Sequence, residues 1–145
     1  MERKELLKLE NQICFPLYVT SKEIIRQYKP FLDELNLTYT QYITLLALWE
    51  KDNVLVKELG ERLYLDSGTL TPLLINLEKK NYIKRIKDKN DGRELHIVLT
   101  DEGRALEDRA LEIPFKVGRC INIDAEDAIK LHEILGKLTR GFVHE

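Results

Sequence analysis

The stretch that decides the fold is DSGTLTPLLINLEKKNYIKRIKDKNDGRELHIVLT, residues 66–100. Capping residues followed by leucines at helical spacing predict a helix that starts near Ser67, carries Pro72 in about its first turn and stops at Asn81. From Tyr82 onward, apolar and polar residues alternate on both sides of a polar cluster at residues 88–92. That alternation predicts a two-stranded β-hairpin with one buried face.

Helical patterns also precede this stretch. The apolar spacing predicts a helix over residues 15–35 that begins at Pro16 and is kinked or ended by Pro30. Three further segments follow it: a second helix begun by a capping box at Thr38, a β-prone run at residues 54–56 and a short helix at residues 57–63.

Two more helices follow the hairpin. One begins at Thr100 and is expected to bend or break at Pro114, and the last is capped by Asp124. A three-helix core closed by a hairpin is typical of the winged helix-turn-helix. The sequence therefore predicts a mainly α fold with a small β-hairpin wing.

The terminal helices carry more apolar surface than so small a core can cover. The last helix has apolar residues spaced 3, 4, 3 and 4 apart, which is typical of helix-on-helix packing: Ala128, Leu131, Leu135, Leu138 and Phe142. Pairing with a second copy would bury them, so we expect a homodimer. We predict one domain over 1–145, with a DNA-binding part at about 38–99 and dimerisation helices at about 5–35 and 101–143.

The composition of the 145-residue chain excludes several classes of protein. Hydrophobic residues make up 43%, and no apolar run is long enough to span a membrane. No signal-peptide pattern opens the chain, so we expect a cytoplasmic protein. Two cysteines, Cys14 and Cys120, do not make a disulfide scaffold, and they match no zinc spacing because His96, His132 and His144 do not cluster with them. We expect no metal and no cofactor.

The hairpin region is basic although the whole chain is not. Residues 78–96 hold seven basic and four acidic residues, giving +3, so with a total of −2 the remainder carries −5. Such a local patch suits phosphate, although a solvated hairpin face would look the same. The candidate contacts are Lys84, Arg85, Lys87, Lys89 and Arg93.

The helix that starts near Ser67 favours DNA binding over that alternative. Ser67, Thr69 and Thr71 place three hydroxyl groups near its N-terminal end, the end that a recognition helix presents to base edges and phosphates. Plain capping would account for one of the three. We include Pro72 in the same surface.

Cys14 lies near the start of the first helix. Free N–H groups and the helix dipole favour the thiolate there, and the thiolate is the form that peroxides oxidise. The alternative is a buried, inert cysteine that acts as a small hydrophobe.

Three stretches resemble the MarR family, and more narrowly its branch of organic-hydroperoxide-sensing repressors. They are ENQICF at 10–15, LTYTQY at 37–42 and LDSGTLTPLL at 65–74. The resemblance extends over about residues 9–138. It implies a homodimeric winged-helix repressor that binds a palindromic operator in double-stranded DNA and leaves it after a cysteine is oxidised.

The resemblance also implies roles for individual residues. Cys14 matches the cysteine that reacts with organic hydroperoxide, and Tyr28 and Tyr39 match tyrosines that hydrogen-bond its sulfur across the dimer. Tyr18 matches a third tyrosine nearby. Arg93 matches a wing-tip arginine that enters the minor groove, and Asp91 matches the acid that orients it.

The chain departs from the family pattern at three places. Pro16 replaces an apolar helix former beside Cys14, and Ile75-Asn76 replaces a basic pair. Cys120 lies near the resolving cysteine of two-cysteine members. Oxidised Cys14 would therefore form either an intersubunit disulfide with Cys120 or a mixed disulfide with a small thiol.

Three other functions compete with the redox-sensing repressor. A small apolar or phenolic ligand would release a MarR-type regulator in which Cys14 is inert. A thiol peroxidase would turn over at Cys14, but no Thr or Arg is spaced to activate peroxide beside it, so we expect no enzyme. An adaptor that binds proteins through its terminal helices would show no operator-like binding even at low salt.

Overall fold

Helices dominate the computed structural model, which describes residues 2–142. Two short 3-10 segments, Arg3–Leu7 and Leu9–Asn11, precede the first α-helix. The elements then run in this order: α1 Cys14–Asp33, α2 Tyr39–Glu50, β1 Val54–Leu55, α3 Val56–Leu63, α4 Ser67–Lys79, β2 Ile83–Lys87, β3 Leu95–Leu99, α5 Asp101–Ala110, α6 Ile113–Cys120 and α7 Ala125–Arg140. The mainly α fold with a hairpin wing is confirmed.

The helix starts follow the capping residues of the sequence. Thr38 Oγ1 accepts a hydrogen bond from the Gln41 backbone N–H at 3.2 Å, and the Gln41 side chain accepts one from the Thr38 N–H at 3.1 Å. This is the predicted capping box. The side chains of Asp66, Thr100 and Asp124 cap α4, α5 and α7 by each accepting one backbone N–H.

The structure differs in detail from what was predicted at Pro16, Pro30 and Pro114. α1 starts at Cys14, before Pro16, and continues through Pro30 to Asp33, because a proline removes one backbone donor without ending a helix held by its neighbours. The break after α5 falls at residues 111–112, and Pro114 lies in the first turn of α6, where its missing N–H costs little. A separate α6 was not predicted.

The sheet has three antiparallel strands in the order β1-β3-β2. Ile83 pairs with Leu99 and Lys87 with Leu95, which confirms the hairpin, and Val54 of β1 pairs with Ile97 on the other side. The sequence marked β1 only as β-prone, because two residues carry too little alternation to predict pairing. Ile83, Ile97 and Leu99 point into the core.

The core lies between the sheet and helices α2, α4 and α5. Leu45, Leu48, Leu74 and Leu77 are essentially inaccessible to solvent. The indole Nε1 of Trp49 donates to the carbonyl oxygen of Gly103 at 2.8 Å, so α5 is tied to α2. The DNA-binding part predicted over 38–99 therefore shares its core with α5.

α7 has no buried residue in the described chain. Leu131, Leu135 and Leu138 are 38–49% exposed, and Phe142, which lies beyond the end of α7, is 69% exposed. The predicted seam is therefore not covered within one chain. Residue 143, at the end of the predicted dimerisation segment, and His144 lie outside the described residues.

None of the helices in the described chain is long and apolar enough to cross a membrane.

We predict that Gly103→Ala lowers the free energy of unfolding by about 1–3 kcal/mol, because overpacking a close contact carries that cost. A Cβ on Gly103 would lie 2.1 Å from the carbonyl oxygen of Tyr82. Urea unfolding measures the effect. The matched control is Gly92→Ala, whose Cβ would meet nothing within 4 Å. Equal stability of the two variants would contradict the prediction.

Candidate nucleic-acid interface and thiol region

The N-terminal half of α4 presents a polar face to solvent. Ser67, Thr69, Thr71 and Pro72 are all exposed, while the leucines of the same helix are buried. The cap acceptor is Asp66, whose Oδ1 accepts the Thr69 N–H at 2.8 Å. Capping therefore does not account for the three hydroxyl groups, which is consistent with a face that meets DNA.

The wing extends basic side chains beside this helix. Lys84, Lys87 and Lys89 are exposed, and the side chain of Arg93 is 96% exposed. Asp91 lies close to Arg93: Asp91 Oδ1 accepts the Arg93 backbone N–H at 3.0 Å and lies 3.6 Å from the guanidinium Nε. The structure thus brings together the two wing-tip residues that the sequence paired.

Arg85 differs from the other basic residues of the wing. Its backbone N–H and its Nε donate to the two carboxylate oxygens of Glu78 at 2.8 and 3.1 Å, and its side chain is 29% exposed. These bonds to Arg85, the backbone one above all, lower the pKa of Glu78. Because Glu78 lies on α4 and Arg85 on β2, the pair fixes the wing to the helix.

A cleft of about 210 Å³ separates the wing from α4. Thr71, Arg85 and Arg93 line it, together with Lys57 at the start of α3. Residues from the predicted helix and from the predicted wing therefore line one concave surface, whose lining also includes Glu94 and apolar side chains.

A polar network that the sequence did not indicate holds α4 against α2. The Gln41 Nε2 donates to Asn76 Oδ1 at 2.8 Å, and the Lys80 ammonium donates to Gln41 Oε1 at 2.8 Å and to the Asn36 carbonyl oxygen at 2.6 Å. Burial lowers the pKa of Lys80. Asn76, one of the departures from the family pattern, thus has a structural partner within the chain.

Tyr28 and Tyr39 form an aromatic pair. Their ring centroids lie 5.1 Å apart with edge-to-face geometry, and Tyr42 packs 5.7 Å from Tyr28. Burial raises the pKa of all three, that of Tyr42 to about 12, so their hydroxyls remain protonated donors. Tyr42 was not a predicted pocket residue, although its spacing of three from Tyr39 on α2 is a signal for it.

Cys14 lies at the other end of α1 from these tyrosines. It is the first residue of the helix and is exposed, and the preceding Ile13 supplies no side-chain cap. Tyr28 is 14 residues further along, about 21 Å at 1.5 Å per residue. Of the three predicted pocket tyrosines, only Tyr18, one turn from Cys14 and 62% exposed, lies near it in the described chain.

Cys120 is exposed at the end of α6, and its Sγ donates to the Lys116 carbonyl oxygen at 3.4 Å. The Lys116 ammonium lies 5.8 Å from the centre of the Phe31 ring, close to the C-terminal end of α1. Phe31 is 17 residues, about 25 Å, from Cys14 along the helix. A disulfide needs Cα atoms within about 7 Å, so this conformation does not bring the two cysteines of one chain together.

A family model described as transcriptional regulator SarA/Rot matches residues 26–110. The organic hydroperoxide resistance transcriptional regulator of Bacillus subtilis (strain 168) is 46% identical over 136 residues, which cover 93% of this chain and 92% of that protein. The HTH-type transcriptional regulator SarZ of Staphylococcus aureus (strain USA300) is 48% identical over 120 residues, which cover 83% of this chain and 81% of that protein.

Solved structures of AbfR, a protein of Staphylococcus epidermidis, are also similar. Reduced AbfR bound to DNA is 33% identical with a TM-score of 0.79, covering 97% of this chain and 98% of that one. The disulfide form of AbfR is 31% identical with a TM-score of 0.63, covering 95% of this chain and 92% of that one. The chain described above is thus more similar in shape to the reduced, DNA-bound form.

We predict that the free energy of unfolding of Glu78→Gln falls less steeply than that of the wild type as the pH is lowered. The folded-state pKa of Glu78 lies below its ordinary value of 4.5, so its stabilising contribution is present above pH 4.5 and is lost as the pH falls through the lowered pKa. Urea unfolding between pH 7 and pH 3 measures the slope. The matched control is the exposed Glu107→Gln. The prediction fails if both variants lose stability with acid as steeply as the wild type.

Proposed function

The chain belongs to the SarA/Rot-type transcriptional regulators of the MarR family, which are winged-helix DNA-binding proteins, and from this premise we propose that it is a repressor that senses organic hydroperoxide through Cys14. The observation that carries the proposal is the exposed thiol of Cys14 on the first residue of α1. Its sequence neighbours Ile13 and Phe15, and Tyr18 one turn further, expose apolar surface near it, which suits an organic peroxide.

The DNA-reading surface is made of α4 and the wing. Ser67, Thr69, Thr71 and Pro72 enter the major groove, and Lys84, Lys87 and Lys89 approach phosphates. Arg93, oriented by Asp91, enters the flanking minor groove. Arg85 acts mainly by holding the wing to α4 through Glu78. The operator is a palindrome in double-stranded DNA because the protein binds as a homodimer.

The dimer is formed by the terminal segments. Residues 5–35 and 101–143 pair with the same segments of a second copy, which covers the exposed leucines of α7 and of the N-terminal segment. The part at about 38–99 reads DNA. The protein acts in the cytoplasm and needs no cofactor or metal.

The sensor site is completed across the dimer. Because about 21 Å of helix separates Cys14 from the Tyr28–Tyr39 pair, antiparallel packing of α1 on its counterpart would place the Cys14 sulfur against the partner's tyrosine hydroxyls. Two neutral phenol donors stabilise a thiolate by hydrogen bonding. Tyr18, one turn from Cys14, closes the same apolar pocket.

Oxidation of Cys14 breaks its contact with the tyrosines and thereby releases the DNA. The Cys14 thiolate attacks the peroxide, the O–O bond breaks, sulfur becomes a sulfenic acid and the alkoxide leaves as an alcohol after taking a proton. A second thiol, either a small molecule or Cys120 of the partner subunit, then forms a disulfide with release of water. The tyrosine contacts are lost, and the two DNA-reading parts move out of register.

We predict that Leu135→Glu on α7 yields monomers. Dimerisation would bury the new carboxylate between the helices without a positively charged partner, which is unfavourable. Sedimentation of the wild type should give a dimer of this 17.0 kDa chain. The control Lys137→Glu lies on the opposite side of α7 and should remain dimeric. A dimeric Leu135→Glu protein would show that this seam is not the interface.

We predict that an organic hydroperoxide releases the reduced wild-type protein from DNA and leaves Cys14→Ser bound. Moving occupancy from 99% to 1% requires an affinity loss of about 10⁴-fold, or about 5.5 kcal/mol. Fluorescence anisotropy with a duplex from upstream of the protein's own gene measures it, with and without a small thiol.

A Cys120→Ser variant identifies the second thiol. If the wild type also needs the small thiol and Cys120→Ser is released in the same way, the second thiol is the small molecule. If the wild type is released without the small thiol and Cys120→Ser is not, the second thiol is Cys120. Release of Cys14→Ser by peroxide would remove Cys14 as the sensor. Release by a phenolic ligand in reducing buffer, with none by peroxide, would favour the ligand-responsive regulator.

A further inference from the structure

The turn at the wing tip is organised around the carboxylate of Asp88. Its Oδ2 accepts the backbone N–H groups of Asn90 and Asp91, both at 3.0 Å. Its Oδ1 lies 2.7 Å from Nε2 of His96 on β3. Both carboxylate oxygens are therefore engaged, one by the turn and one by the sheet.

His96 makes its polar contact through Nε2. The Nδ1 atom is buried and has no hydrogen-bond partner among the described residues. Since a carboxylate accepts, Nε2 is the donor in this pair. The side chains are 29% exposed for His96 and 25% for Asp88, so water competes only partly for the bond. The bond joins the regular strand β3 to the irregular turn.

Hydrogen bonds continue from Asp88 to Arg93. Asp91, whose N–H bonds to Asp88, accepts the Arg93 N–H on its side chain at 3.0 Å. The backbone of the turn is closed by Glu94, which donates to the Asp91 carbonyl oxygen at 3.0 Å and accepts from the Asp88 N–H at 2.9 Å. Because the side chain of Arg93 is almost fully exposed, its position is set mainly by the backbone of this turn.

We infer that His96 is a positioning residue for Arg93: by holding Asp88, it fixes the wing-tip turn that presents Arg93 to DNA. The inference rests on the proposed contact of Arg93 with DNA. Without the bond from His96, the carboxylate of Asp88 loses its link to β3 and the turn samples more conformations. The conformational entropy of the turn is then lost when DNA binds rather than when the protein folds, and this cost weakens DNA binding.

The test compares His96→Met with His96→Gln. The two side chains have similar length, but only Gln places an N–H donor where Nε2 of His96 lies. His96→Met should weaken operator binding about five-fold, as expected for one hydrogen bond, and His96→Gln should restore most of it. Amide hydrogen exchange at residues 88–94 should be faster in His96→Met, with β3 unchanged.

A double-mutant cycle separates positioning from a general structural role. In an Arg93→Ala background, the loss caused by His96→Met should disappear. An equal loss in both backgrounds, no loss in either, or failure of Gln to rescue would overturn the inference. Asp88→Ala, which breaks the bond from the other side, should reproduce the Arg93-dependent loss if His96→Met does not fold.

The same data separate this inference from the proposed function. If Arg93→Ala alone leaves affinity unchanged, the proposed wing contact fails and the inference falls with it. If Arg93→Ala weakens binding and His96→Met does not, only the inference fails.

Discussion

The length of α1 is the constraint on which the account depends. Cys14 is its first residue. Tyr28, which packs against Tyr39 of α2, lies 14 residues further, about 21 Å along a helix that continues through Pro30 without ending. A single helix cannot fold its two ends together, so a thiol–tyrosine site requires a second copy of the chain. The exposed leucines of α7 require a covering surface for an independent reason.

The DNA-reading part is built as one stiff unit. The Glu78–Arg85 pair fixes the wing to α4, and the Gln41–Asn76–Lys80 network fixes α4 to the start of α2, where Tyr39 lies. A change in how the two copies pack is therefore expected to displace helix and wing together.

Much of the fold follows from local sequence. The capping box at Thr38 and the cap at Asp66 predict the starts of α2 and α4, and the alternation after Tyr82 predicts the hairpin. The third strand and the break at residues 111–112 depend on tertiary packing, which local spacing does not contain. At the candidate site, exposed residues such as Thr69 and Arg93 were predicted. The contact of Gln41 with Asn76, 35 residues away, depends on tertiary packing, and that of His96 with Asp88 depends on how the strands of the hairpin pair, so local spacing predicts neither.

The most direct test of the account is the rate at which hydroperoxide oxidises Cys14 in mixed dimers. One copy carries Cys14→Ser, and the other carries Tyr28→Phe with Tyr39→Phe. If the sensor spans the dimer, one complete site remains, and its thiol should react at the wild-type rate. Homodimers of the double tyrosine variant should react slowly. A mixed dimer as slow as those homodimers would show that the thiol and the tyrosines act within one chain. Homodimers of the double tyrosine variant that react at the wild-type rate would show that the tyrosines play no part.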